Sequence, residues 1–269
     1  MTVEMETLAV RLPEGMVQVA RWTPSDGTAR GEIVLLHQGL GSITQWGSFP
    51  EALGAATACR VTAYDRLGYG RSDFPDDERG DFLEREAWER LPALLDALGV
   101  EQPILYGHSD GGTIALLYAS ERPAALAGLV SEAAHVFSEV AETGGIEALR
   151  AEFETGDLAR KLARHHPRHL DRMFHRWADF WQAPGRDDWT MLERLAAIEC
   201  PVLVVQGDAD EHGSLRQVDE IVERVHGPAE RRILPGCGHS PHREQPQAVL
   251  AAVAPFVAAI LQGNRAPHT

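Results

Sequence analysis

The chain is short of cysteine, of positive charge and of long apolar runs. Cys59, Cys200 and Cys237 are odd in number and far apart. They exclude a disulfide framework and a cysteine zinc site, and they fit a reducing, cytoplasmic compartment. Against 40 Asp and Glu stand 25 Lys and Arg, for a net charge of -15. Charge of that sign argues against nucleic acid or an anionic membrane as a partner. No apolar run is expected to span a membrane, and residues 1–11 lack the basic stretch and apolar core of a signal peptide. No internal repeat, low-complexity segment or phosphate-binding Gly-Lys-Ser/Thr is found. What remains, 44% hydrophobic and 24% charged over 269 residues, is an ordinary globular composition. The expected partner is a small molecule, with monomer and homodimer both left open.

Strand and helix patterns alternate along the chain. Leu8 to Leu12 and Met16 to Trp22 read as an antiparallel edge hairpin turning at Pro13-Glu14-Gly15. Ile33 to Leu36, Arg60 to Tyr64, Pro103 to Tyr106, Leu126 to Val130, Pro201 to Gln206 and Glu230 to Leu234 are short apolar or mixed runs that read as strands. Helical patterns lie between them, at Trp46 to Thr57, Asp81 to Leu98, Thr113 to Ala119, Leu215 to Val225 and Gln247 to Leu261. Such alternation implies a mostly parallel sheet covered on both faces, with the loops after the strands gathered at one edge. From Ala133 to Trp189 the alternation stops, and a stretch rich in Arg, His and Trp reads as several short helices inserted over that edge.

One stretch organises the rest. Pro103 to Tyr106 runs into Gly107-His108-Ser109-Asp110-Gly111, and a buried helix follows. Strand, sharp turn and helix are the setting that Gly-x-Ser-x-Gly requires. The turn lifts the Ser109 hydroxyl out of the sheet and places it at a helix N-terminus, where backbone N–H groups favour developing negative charge. A serine hydroxyl needs a base, and the base needs an orienting acid. His239, in the small-residue turn Gly236-Cys237-Gly238-His239 after the last strand, is the expected base, with His242 a minor competitor. Asp210, in Gln206-Gly207-Asp208-Ala209-Asp210, is the first choice of acid. Glu132, just after the sixth strand, is the alternative acid. Two N–H donors should face the developing oxyanion. One is that of Asp110. The other comes from His37-Gln38-Gly39-Leu40-Gly41, with Gly39 first and Leu40 second, while His37 braces the loop.

With Ser109, Asp210 and His239 in that order, together with Asp65-Arg66-Leu67-Gly68-Tyr69-Gly70-Arg71-Ser72, the chain resembles the α/β-hydrolase superfamily from about Leu8 to Leu261. The resemblance implies an α/β-hydrolase fold: a mostly parallel eight-stranded sheet flanked by helices. The core would be residues 1–132 and 190–269, and residues 133–189 a helical lid inserted after strand six. It also implies a serine hydrolase acting on an ester or lactone, without cofactor or metal. Gln38 stands between His37 and Gly39 where the superfamily commonly has His-Gly, which leaves open which amide donates. The Gln-Gly-Leu-Gly loop with Glu132 is similar to the lactonases that open zearalenone-type macrolactones, whose acid follows the sixth strand.

Other readings remain at this level. The same residues suit carbon–carbon bond hydrolysis, cofactor-free haloperoxidation, or a ligand receptor that keeps the fold without turnover. Trp177, Trp181 and Trp189, with Phe174 and Phe180, fit either an apolar pocket or packing within the lid. His165, His166, His169 and His175 are interleaved with Arg160, Arg164, Arg168, Arg172 and Arg176, which opposes a bound metal cation.

Overall fold

The central strands of the sheet bury both of their faces, and their apolar residues divide between the two. Ile33, Leu35, Ile104 and Tyr106 face one side, and Val34, Leu36 and Leu105 the other. This is the two-residue alternation of a pleated strand, with apolar side chains at every step because helices cover both faces. The computed structural model describes residues 2–76 and 81–263. Its strands are β1 (Val3–Leu12), β2 (Gly15–Pro24), β3 (Glu32–Leu36), β4 (Arg60–Tyr64), β5 (Ile104–His108), β6 (Gly128–Glu132), β7 (Val202–Gly207) and β8 (Ala229–Leu234). They form one sheet in the order β1-β2-β4-β3-β5-β6-β7-β8. β1 pairs β2 and β2 pairs β4 antiparallel, and every other pairing is parallel.

The helices are α1 (Phe49–Thr57), α2 (Phe82–Arg85), α3 (Leu91–Leu98), α4 (Asp110–Glu121), α5 (Val140–Thr155), α6 (Leu158–Ala163), α7 (Leu170–Trp181), α8 (Leu215–Arg224), α9 (Pro241–Glu244) and α10 (Pro246–Gly263). Residues of α1 and α10 pack on one face of the sheet, and residues of α3, α4 and α8 on the other. α4 is buried from Asp110 to Ser120. Each large apolar side chain it buries there contributes about 1.5–3 kcal/mol, which fixes the helix that carries Ser109 at its head. α10 is long and apolar enough to cross a bilayer by those two measures alone. Here Val249, Val253, Val257 and Ile260 are buried in the core between α10 and the sheet.

The structure redraws several expected boundaries. β1 begins five residues before Leu8, because pairing with β2 holds an exposed edge that has no apolar alternation of its own. The helix expected from Asp81 to Leu98 is α2, a π-helical turn over Glu86–Arg90, and α3. The turn accompanies an inward Glu86, which accepts a 2.7 Å bond from Tyr64, and an inward Arg90, which reaches Glu14 of the hairpin at 2.7 Å. β5 and β6 each run two residues past the expected end. Glu132 is therefore the last residue of a strand and not the first of a loop.

Between β6 and β7 the chain leaves the sheet and forms α5, α6 and α7. A bridge between Phe137 and Thr190 closes the base of this segment.

Candidate active site

Ser109 stands between β5 and α4 with φ 54° and ψ -121°, outside the regions that a side chain ordinarily tolerates. The surroundings enforce this. A Cβ on Gly107 would come 2.1 Å from the Gly111 carbonyl oxygen, and one on Gly111 would come 2.0 Å from that of Leu36. The turn can close only with glycine at both positions. Ser109 N–H donates to the Glu132 carbonyl at 2.8 Å, which ties the turn to the neighbouring strand.

Three side chains from three loops meet at the carboxyl edge of the sheet. His239 Nε2 lies 3.0 Å from Ser109 Oγ, and His239 Nδ1 lies 2.9 and 3.0 Å from the two Asp210 oxygens. Burial works to raise the pKa of Asp210. The bond from His239, the charge on that ring and the His212 N–H outweigh it and hold the carboxylate below its usual value. Asp210 is thus an ionised acceptor that fixes Nδ1–H and leaves Nε2 as the acceptor facing the serine.

Glu132 serves another histidine. Its side chain is fully buried and accepts from His242 Nδ1 at 2.5 Å, from the His242 N–H at 3.2 Å and from the Tyr106 hydroxyl. Burial opposes its ionisation, but His242, His108 and Tyr106 bring its pKa down to about 2. The expectation that Glu132 could reach His239 fails on placement. Strand β6 points its side chain into the core, and His242, not His239, is within its reach. His108, Glu132 and His242 bring one ligand-type atom each within 4.8 Å of the others. Those residues already hydrogen-bond one another and their surroundings. His108 Nε2 contacts the His239 carbonyl at 2.7 Å, and its Nδ1 contacts Gln38 Oε1 at 3.3 Å.

The loop after β3 is braced from behind. The Gln38 carbonyl accepts from His37 Nδ1 at 2.8 Å, Arg66 Nη2 at 2.9 Å and the Gly41 N–H at 3.0 Å. In a trans peptide the N–H points opposite the C=O, so this anchoring turns the Gly39 N–H forward. The Leu40 carbonyl is likewise held, by His166 Nε2 at 3.1 Å and Gln45 Nε2 at 3.0 Å. His37 also accepts from the Arg66 N–H at 3.2 Å. Burial and Arg66 push the pKa of this ring well down, so it is a neutral brace. Asp110 opens α4, and its N–H has no acceptor within the helix.

These groups line a cavity of about 240 Å³. Ser109, His239 and Gly39 form one side, and Ile146, Leu149, Trp177 and Trp181 of the inserted helices form the other. A larger groove of about 670 Å³ lies elsewhere, over Trp46 and Phe49, and contains none of Ser109, His239 or Asp210. The aromatic residues of the insertion therefore divide. Trp177 and Trp181 face the cavity, Phe174 stacks on Phe153, Phe180 meets Phe82, and Trp189 donates to Glu84.

Sequence patterns missed His135 and His212, which flank His239 with ring centroids 6.0 and 4.7 Å away. The one available signal was position, since each follows a strand at the active edge. Burial and the charge on His239 bring His135 down to about 4, so this ring is neutral beside His239.

A nucleophile-type turn heading a buried helix, with an imidazole and a carboxylate in line at the carboxyl edge of a mostly parallel sheet, defines a hydrolase of α/β architecture. The sequence profile of the alpha/beta hydrolase family matches residues 33–253, and the chain belongs to that family. It is 29% identical over 189 residues to the serine hydrolase BPHL of Mus musculus, covering 68% of this chain and 64% of that one. It is 32% identical over 108 residues to a proline iminopeptidase of Lactobacillus delbrueckii subsp. lactis, covering 40% of this chain and 37% of the relative. The matches thus span less than two thirds of the length of these relatives. Among solved structures, the 2-hydroxy-6-oxo-6-phenylhexa-2,4-dienoate hydrolase of Rhodococcus sp. strain RHA1 has a TM-score of 0.80 at 17% identity. The match covers 97% of this chain and 100% of that one and speaks for the fold.

Proposed function

We propose that the protein is a serine hydrolase that cleaves an ester or lactone of a small, largely apolar substrate through an acyl-enzyme on Ser109. The observation that carries this reading is the unbroken line from Ser109 Oγ to His239 Nε2 and from His239 Nδ1 to Asp210, at 3.0 and 2.9 Å. Ser109 Oγ attacks the carbonyl carbon while His239 Nε2 takes its proton. The Asp110 and Gly39 N–H groups receive the oxyanion. The intermediate collapses as His239 returns the proton to the departing alkoxide, so the C–O bond breaks; an ester releases its alcohol, and a lactone keeps it tethered to the acyl group as a hydroxyacyl-enzyme. Water then attacks the acyl-enzyme, again through His239, and releases the acid and free Ser109.

Asp210 holds the imidazole tautomer, and Glu132 has no part in the relay. Helices α5 to α7 act as a lid whose Ile146, Leu149, Trp177 and Trp181 shape a cavity suited to a small apolar acyl group. No metal or cofactor enters these steps, and the setting is a cytoplasmic small-molecule hydrolase.

The test is labelling with a fluorophosphonate, read by peptide mass mapping, on the wild type, Asp210→Asn and Glu132→Gln. The expected outcome is a label on Ser109 that is strongly slowed in Asp210→Asn and retained in Glu132→Gln. A folded wild type that takes no label would reject Ser109 as the nucleophile.

A further inference from the structure

The groove over Trp46 and Phe49 carries the charge that the chain as a whole is short of. Lys161, Arg164 and Arg243 line it, and among the described residues no Asp or Glu does. With a net charge of -15 on the chain, this concentration runs against the average of the molecule. Most arginines around it are already engaged. Arg160 pairs with Asp157, Arg168 pairs with Asp73, and Arg172 and Arg176 lie over the ring of Phe74. Lys161 meets Glu152 at 3.8 Å in an exposed pair, which contributes little. The guanidinium groups of Arg164 and Arg243 form no ion pair or hydrogen bond among the described residues.

The groove follows a seam. Lys161 lies in α6, with Arg164 and His165 just after it, whereas Arg243 lies in α9 of the core. His165 Nδ1 and Thr44 Oγ1 meet across this seam at 2.7 Å. Burial, Arg164 and Arg243 hold the pKa of the His165 ring below its usual value, so the charges of both sides converge on one ring. Like charges gathered in a cleft repel one another, and the same cleft concentrates an anion that can answer both. Its floor suits more than a bare ion. Trp46, Phe49, Ala52 and Leu250 line it, and the buried Trp46 Nε1–H has no acceptor among the described residues. The volume, about 670 Å³, is that of a small-molecule site.

We propose that this groove binds a small organic phosphate, which fastens the inserted helices to the core. The phosphate lies between Arg164 of the insertion and Arg243 of the core, and the apolar part lies on the floor. None of Ser109, His239 or Asp210 lines the groove, so the site stands whatever reaction the other cavity performs.

The experiment titrates the protein calorimetrically with phenyl phosphate, against sodium chloride of the same ionic strength. Wild type should show a saturable site that binds phenyl phosphate more tightly than inorganic phosphate. No saturable heat, or equal affinity for the two, would overturn the proposal. Arg164→Ala and Arg243→Ala should each weaken binding by about tenfold or more, the loss expected for one charge-assisted hydrogen bond. Both arginines are exposed, so both variants should keep the wild-type melting temperature without ligand. Wild-type affinity in both would place the anion elsewhere and overturn the proposal. Hydrogen exchange then tests the fastening. With phenyl phosphate at ten times its Kd, exchange in peptides covering residues 158–166 should slow by about tenfold, the factor expected when opening of the insertion releases the ligand. The Arg243→Ala variant, altered only on the core side, should lose this protection at the same concentration. Binding that leaves exchange of residues 158–166 unchanged in wild type would overturn the proposal.

Discussion

The molecule contains two histidine–carboxylate pairs whose histidines are three residues apart in the chain. His239 meets Asp210 at 2.9 Å and His242 meets Glu132 at 2.5 Å, and each bond runs through Nδ1. Both carboxylates are held below their usual pKa despite burial. What separates the pairs is the far side of the ring. His239 is 15% exposed, and its Nε2 faces Ser109 across 3.0 Å. His242 is 2% exposed and packed against Trp46 and Phe49. A histidine paired with an acid is thus a common structural unit, and access to a nucleophile and to solvent fits one of them for catalysis. A perturbed pKa alone would point first to Glu132, the carboxylate bonded to His242 and not to His239.

The comparison can be broken at its strongest point first. Ser109→Ala should lower kcat by about 10⁵–10⁶-fold with little change in melting temperature. A loss of less than tenfold would place the chemistry elsewhere. Asp210→Asn should cost about 10⁴-fold in kcat, through the wrong imidazole tautomer, with the fold retained by circular dichroism. Gly39→Ala should cost about 10²–10³-fold, because its methyl group meets Trp177 and Asp110 and displaces the loop. Steady-state kinetics on one neutral ester would measure both variants.

Glu132→Gln is the converse case. Removing one partner of a buried pair costs about 3–5 kcal/mol of stability, read as a lower denaturation midpoint, while kcat of the folded fraction stays within about tenfold of wild type. The smallest effect is in the pH profile of stability. The folded pKa of Glu132 is depressed from 4.5 to about 2. Its contribution is therefore complete above pH 4.5 and lost as the pH falls toward 2. Wild type should lose stability over that window more steeply than Glu132→Gln, and parallel acid limbs would show that the pair adds nothing.

Most of this arrangement could be read along the chain. Alternating strands and helices, the glycines on either side of Ser109, and His239 in a small-residue turn are local patterns, and each follows from steric rules that act over a few residues. The choice between Asp210 and Glu132 was not local. It turned on where β6 ends and on which way its last side chain points, and pairing with β5 and β7 extends that strand through Glu132. The partners of Asp110 were equally hidden. Trp177 lies 67 residues further along, in a stretch whose aromatic residues fitted a pocket wall and lid packing equally from sequence.

The sequence by itself determined the sheet, the order of its elements and the candidate nucleophile and base. It did so because apolar alternation and glycine requirements are properties of neighbouring residues. The tertiary structure alone decided which carboxylate faces His239, which amide of the Gln38–Gly41 loop turns forward, and that the Asp110 carboxylate meets Trp177 at the cavity. Those outcomes depend on strand register, on the anchoring of one carbonyl by Arg66 and His37, and on the packing of an inserted helix, all of which join residues far apart in the chain.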